Sequence, residues 1–236
     1  MLQTITAFLG NILLVVAALM PILNPPGHAP IFLSMTTAYN EQEKAILARR
    51  VGIYSFFLIL VSMFTGSYVL NFFEVSLPII RVAGGLLVAA AGWKLLSDEG
   101  KNSNRKLEEQ AVALEHSAEE LRSRAFYPLT FPITVGPGTI TVAITLGAGL
   151  KGPGLLHRLD MPIASIIATA LVAYSLYFCY RYAERIMRLL GSTGTIVFLR
   201  LSAFILFCLG VQIVWDGASA LLADFVAHSA PALLHR

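Results

Sequence analysis

Apolar positions along this chain are gathered into long runs from which Asp, Glu, Lys and Arg are missing. None of these four residues occurs in 1–40, and further uncharged runs cover 51–73, 82–93, 125–150, 161–180 and 201–215. A bilayer core is crossed by about 20 mostly apolar helical residues. The pattern therefore predicts six transmembrane helices, at about 4–37, 46–72, 76–96, 126–149, 160–184 and 194–222. The first run is too long for one straight crossing. It is interrupted by Asn24, Pro25, Pro26 and Gly27, and the fourth run is interrupted between Thr134 and Gly138. The fold class expected is an all-α integral membrane protein.

Composition agrees with this reading. Only 13% of the 236 residues are charged and 56% are hydrophobic, whereas soluble domains carry about 25% charged residues. No basic residue precedes the first apolar run, and Asn24-Pro25-Pro26-Gly27 stands where a small-residue cleavage site would be wanted, so the N-terminus reads as a retained helix. Cys179 and Cys208 both lie in apolar segments, which suits small core residues better than a disulfide or a metal pair. The five histidines show no zinc-type spacing. No metal and no cofactor is expected.

The charges sit between the runs and predict an orientation. Lys44, Arg49 and Arg50 lie between spans 1 and 2. Lys101, Arg105, Lys106, Arg122 and Arg124 lie between spans 3 and 4, and Arg181, Arg185 and Arg188 between spans 5 and 6. The opposite side has Lys151, Arg158 and Arg236. The excess places these three connectors in the cytoplasm and both termini outside. The chain then divides into a first three-helix repeat (1–96), a charged cytoplasmic connector (97–125) and a second three-helix repeat (126–236). The connector holds seven of the fourteen acidic residues; a solvated linker or a short surface helix would both fit.

The two halves resemble each other. Asn24-Pro25-Pro26-Gly27 in the first span of one half parallels Val135-Gly136-Pro137-Gly138 in the other, and each follows a proline, Pro21 or Pro132. In the third spans, Ile79-Ile80-Arg81-Val82-Ala83 parallels Phe198-Leu199-Arg200-Leu201-Ser202. Three spans per half make the second repeat inverted relative to the first, a recurring plan of secondary transporters.

The breaks also suggest chemistry. Proline removes a backbone donor and glycine frees the backbone, and polar groups released at membrane depth persist only where protein, water or a ligand satisfies them. A half-helix that begins at such a break directs N–H groups and a positive dipole end inward, suiting a carboxylate; carbonyls freed before it suit an ammonium or a cation. The candidate substrate-binding residues are Asn24, Pro25, Gly27, Thr134, Gly136, Gly138 and Thr139, with Thr130 and Thr141 as further hydroxyls. The alternative is that the breaks are packing kinks whose threonines bond back to their own helix. Arg81, Arg200 and Asp216 are candidates for gating or helix bonding, with snorkelling to headgroups the competing role for the arginines. An Arg81–Asp216 pair and an interfacial charge are both open for Asp216. His28, directly after the first break, is given a structural role.

These segments resemble the MarC family, which includes the SnatA small neutral amino acid transporters. The likeness is carried by residues 23–33, 81–86, 128–140 and 210–217, with Phe131-Pro132 before Thr134 closer to the MarC branch. It implies a six-helix protein of a prokaryotic plasma (inner) membrane and transport of small amino acids such as glycine or alanine. Expected partners are a small-molecule substrate, the lipid bilayer and a coupling ion, proton or sodium, but no nucleic acid; the oligomeric state stays open. A MarC-type efflux or scaffold role without amino acid transport is the alternative. An enzyme is not expected: no His-Glu-x-x-His, facing aspartates or Ser/His pair occurs at matched depth.

Overall fold

A computed structural model describes residues 2–97, 118–149 and 155–234. The described residues are helical, with short turns between elements and no strand among them. Most of the charged connector, 98–117, lies outside the described residues. In chain order the elements are α1 (Leu2–Leu23), α2 (Pro25–Met35), α3 (Glu41–Phe72), α4 (Leu77–Ser97), α5 (Ala118–Arg124), a wide π-type segment (Ala125–Thr134), α6 (Pro137–Gly149), α7 (Leu155–Arg181) and α8 (Ala183–Leu234). Five helical runs are long and apolar enough to cross a membrane, among them Thr6–Met35, which joins α1 and α2. A sixth span results if Glu119–Thr134 and Pro137–Ala148 are taken together, a pair bent by 73°.

Local chemistry sets several boundaries. α3 opens with a capping box. Asn40 accepts from the amides of Gln42 and Glu43 at 3.0 and 2.9 Å, and the Glu43 carboxylate accepts from Asn40 N–H at 2.9 Å. The connector that the sequence reading places between spans 5 and 6 is present, since the apolar runs Met161–Arg181 and Thr193–Ala227 leave 182–192 between them, but it is itself largely helical. α7 ends at Arg181, Tyr182 makes the turn, and α8 resumes at Ala183. Arginine is a good helix former and nothing here breaks a helix, so Arg185 and Arg188 ride on the first turns of α8. The change of direction comes later, at Gly191, whose φ of 66° and ψ of 178° interrupt the helical backbone.

The bundle has a dry centre and an apolar exterior. Leu19, Leu23, Phe32, Leu47, Val51, Ile59, Met63, Val172 and Leu176 form one buried cluster. Leu13, Phe57, Phe72, Trp93, Leu189 and Trp215 are exposed, as expected of side chains that meet lipid. Helices in lipid associate through close packing and bonds between them, because hydrocarbon is as apolar as leucine. The most extensive such contact is α4 on α8. A Cβ on Gly85 would lie 2.7 Å from Val214 N, and one on Gly217 would lie 2.8 Å from Pro78 O. Gly92 and Gly210 meet the backbones of Phe207 and Ala89 in the same way. Elsewhere α1 packs on α7, and α3 packs on both α6 and α7. The Gly84-Gly85 pair and Gly92, which the sequence leaves open to contacts within or between chains, make them within one chain here.

One ion pair ties the halves at the end of the bundle where α3 and α8 begin. Lys44 Nζ donates to Glu184 at 2.7 Å and to Glu41 at 3.1 Å. The hydrogen bond from Lys44 holds the Glu184 carboxyl below the usual carboxylate range. A carboxylate whose value is lowered by folding stabilises fully above the unfolded range, about pH 4–5, and loses that contribution as pH falls through the folded value. Glu184 remains 39% exposed, so screening limits the effect to about 0.2–1 kcal/mol. Glu184→Gln is expected to lower the melting temperature slightly at neutral pH and not at all near pH 3; equal loss at both pH values in a thermal melt would rule the bridge out as the cause.

Candidate functional site

The second break explains its own geometry. Pro128 and Pro132 supply no N–H, so carbonyls one helical turn earlier lose their donors. The hydroxyls two residues beyond each proline reach back five residues to other carbonyls: Thr130 Oγ1 donates to Ala125 O at 2.7 Å and Thr134 Oγ1 to Leu129 O at 2.6 Å. Val135 N–H donates to Thr130 O at 2.8 Å. The Thr134 hydroxyl also meets Tyr180 Oη of α7 at 2.8 Å. Since Thr134 spends its proton on Leu129 O, the phenol is the donor in that contact. Tyr180 in turn stacks on Phe32 of α2, with ring centroids 4.6 Å apart. The wide segment is thereby pinned to both α2 and α7.

The first break is built differently. Asn24 adopts left-handed dihedrals (φ 37°, ψ 62°) and caps α2, its Oδ1 accepting from Gly27 N–H at 3.2 Å. Pro25 and Pro26 carry no N–H, and His28 N–H donates to Asn24 O at 3.0 Å. The amino end of α2 therefore has no amide left to offer a ligand. This departs from the expectation that a half-helix beginning at a break directs free N–H groups inward, and the reason is local: two prolines and one capping side chain close it. A Cβ on Gly27 would collide with the Asn24 side chain, so Gly27 makes room for the cap. The left-handed backbone suits asparagine or glycine. Asn24→Ala is expected to cost about 1–2 kcal/mol in lost cap, whereas Asn24→Gly should cost only a few tenths. Thermal melts of the two variants check this; equal losses would mean that the cap is not what holds the break.

At the amino end of α6 the amides stay open. Pro137 is its first residue, Ile140 N–H donates to Gly136 O at 3.1 Å, and among the described residues the amides of Gly138 and Thr139 have no partner. They border a cavity of about 120 Å³ lined by Pro132, Ile133, Thr134, Gly136, Pro137, Gly138 and Thr139 together with His28 and Ile22, by Leu87, Val88 and Ala91 of α4, and by Leu206 of α8. Pockets for drug-sized molecules run about 300–1,000 Å³; this one suits a much smaller guest. Thr139 is 3% exposed, and its hydroxyl has no hydrogen bond among the described residues.

The structure thus gathers Thr134, Gly136, Gly138 and Thr139 around one cavity. It places Asn24, Pro25 and Gly27 beside that cavity, outside its lining. Thr134 lines it with a hydroxyl already committed to Leu129 O and Tyr180. Thr141 donates to Pro137 O at 3.0 Å and packs against Gly84. Arg81 is partly exposed, and Arg200 and Asp216 are exposed. Asp216 Oδ1 accepts from Gln212 Nε2 at 2.9 Å. Gly217 packs on Val82, which brings Asp216 and Arg81 to one level of the α4–α8 contact, yet no ion pair between them occurs among the described residues. The residue that sequence reasoning set aside is His28. Its Nδ1 lies 2.6 Å from Leu23 O, a structural bond, and its ring also lines the cavity. The available signal was its position one turn after Asn24, at the only break that carries a titratable side chain.

Comparison with known proteins adds family context. A family model described as MarC family integral membrane protein matches residues 9–222. The inner membrane protein MarC of Salmonella typhimurium is 31% identical over 207 residues, which cover 88% of this chain and 93% of that protein. Inner membrane protein MarC of Escherichia coli is 30% identical over 215 residues, with the same coverage. No solved structure matches the chain.

Proposed function

Because the chain belongs to the MarC family of integral membrane proteins, we propose that it is a multi-pass protein of a prokaryotic inner membrane that carries small neutral solutes, amino acids the size of glycine or alanine, by alternating access. The observation that carries this reading is the cavity at the second break. Open amides of Gly138 and Thr139 and a helix dipole end suit a carboxylate there, and an apolar remainder formed by Ile22, Val88, Ala91 and Leu206 suits a small side chain.

Alternating access is supported by how the halves pair. The first span of each half packs on the second span of the other, α1 on α7 and α6 on α3, and the third spans pack on each other, α4 on α8. That is the pairing two inverted repeats would make around a pseudo-two-fold axis. The basic connectors favour termini outside the cell. In proteoliposomes the full chain is expected to give saturable uptake of labelled glycine or alanine. Folded protein that moves none of glycine, alanine or serine, in either direction, would remove the amino acid assignment and favour a MarC-type scaffold or efflux role.

A further inference from the structure

His28 lines the same cavity as the α6 amino end, and one of its two ring nitrogens is already used. Nδ1 sits 2.6 Å from Leu23 O. A carbonyl only accepts, so Nδ1 carries the proton, and the neutral ring keeps Nε2 as a bare acceptor. The other open polar groups have the opposite character. The amides of Gly138 and Thr139 are donors at the positive end of a 13-residue helix. The Thr139 hydroxyl, on a side chain almost wholly buried, is unpartnered among the described residues. The residues that line this one small cavity therefore include both amide donors and an imidazole acceptor.

We propose that His28 reads the amino end of the solute: the carboxylate lies on the Gly138 and Thr139 amides, the amino group donates to His28 Nε2, and protonation of His28 turns the site toward carboxylates that lack an amino group. The proposal rests on the small-solute reading above and deepens it by naming the residue that sets specificity.

The surroundings of His28 make its charge decisive. Among the described lining residues it is the only titratable group. Of the elements packed around it, α7 contributes Tyr180, whose phenol is occupied by Thr134. From α8 comes Leu206, while its Arg200 is exposed and its Glu184 is held by Lys44. Leu87, Val88 and Ala91 come from α4, with Arg81 further along and partly exposed. The wide segment and α6 bring no charged residue to the lining. An imidazolium here meets no protein carboxylate. It repels an ammonium and attracts an anion, so the solute itself must supply the counter-charge.

The experiment compares alanine with propionate, the same skeleton without the amino group. Binding to the purified full chain is measured calorimetrically at about pH 7.5 and about pH 5.5, the interval in which an imidazole titrates. Alanine keeps its charges throughout and propionate stays mostly ionised. Wild type is expected to bind alanine more tightly at the higher pH and propionate more tightly at the lower, because protonation removes the Nε2 acceptor and adds a cation to the wall. His28→Gln keeps an acceptor oxygen without a titrating proton, so its alanine affinity should not change with pH. His28→Leu should lose alanine by about tenfold or more and spare propionate at the higher pH. If folded His28→Leu binds alanine as tightly as wild type at the higher pH, or if His28→Gln keeps a wild-type pH dependence, His28 does not read the amino group although the solute site stands. If wild type binds neither compound nor glycine at either pH, the small-solute reading itself fails and this inference falls with it. Should His28→Leu not fold, wild type and His28→Gln decide the matter alone.

Discussion

Gly210→Leu is expected to leave no stable folded protein. A Cβ at this position would run into the backbone N and Cα of Ala89 on α4, and backbone cannot rotate away as a side-chain end can. The helices would have to separate. Gly85 on the facing helix sits 2.8 Å from Gly210 O as judged from its own built Cβ, so the separation would open the contact on both sides. Overpacking a core costs about 1–3 kcal/mol when side chains can shift. Here they cannot, and a loss above about 4 kcal/mol follows, in the range set by named core failures. Val211→Leu, at the neighbouring exposed position, should change little. Size-exclusion profiles and thermal melts in detergent separate the two, and a wild-type melting temperature for Gly210→Leu would mean that the α4–α8 contact is not close in solution.

The second large effect is on function. Gly138→Leu puts its Cβ against Val88 Cγ2 and sends the rest of the side chain into the cavity. Val88 has to give way, at a cost of about 1–3 kcal/mol, which a bundle of this size should survive. The solute has nowhere left to sit. Affinity for alanine is expected to fall about a hundredfold or more, the scale set by replacing a solute's polar contacts with an apolar obstruction. Asn24→Gly is the matched control, because it alters the first break without entering the cavity lining.

The spans were legible from composition because hydrocarbon forbids unpaired charge over about 20 residues, and runs such as 51–73 leave no other reading. The connector between spans 5 and 6 was legible too, but its helical backbone was not, because hydropathy marks where charge begins and not where a helix stops; Arg185 and Arg188 are charged and helical together. The site was legible in part. Pro-x-Thr spacing at Pro132 and Thr134 and the glycines around Pro137 mark a break, and they line the cavity. The first break carries the same signature, but the amino end of α2 is closed by Asn24 and two prolines. Which of two matching motifs keeps its amides free depends on one capping side chain, and sequence periodicity does not show that. His28 was discounted because a histidine beside a carbonyl reads as structural. The structure gives His28 both a bond to Leu23 O and a place in the cavity lining.

The account turns on whether the cavity at the second break is where a small neutral solute binds. The most direct measurement is alanine binding to purified wild type, Gly138→Leu and Asn24→Gly, each shown by its melting curve to be folded. The account predicts saturable binding by wild type and Asn24→Gly, and none by Gly138→Leu. Undiminished binding by folded Gly138→Leu would contradict it.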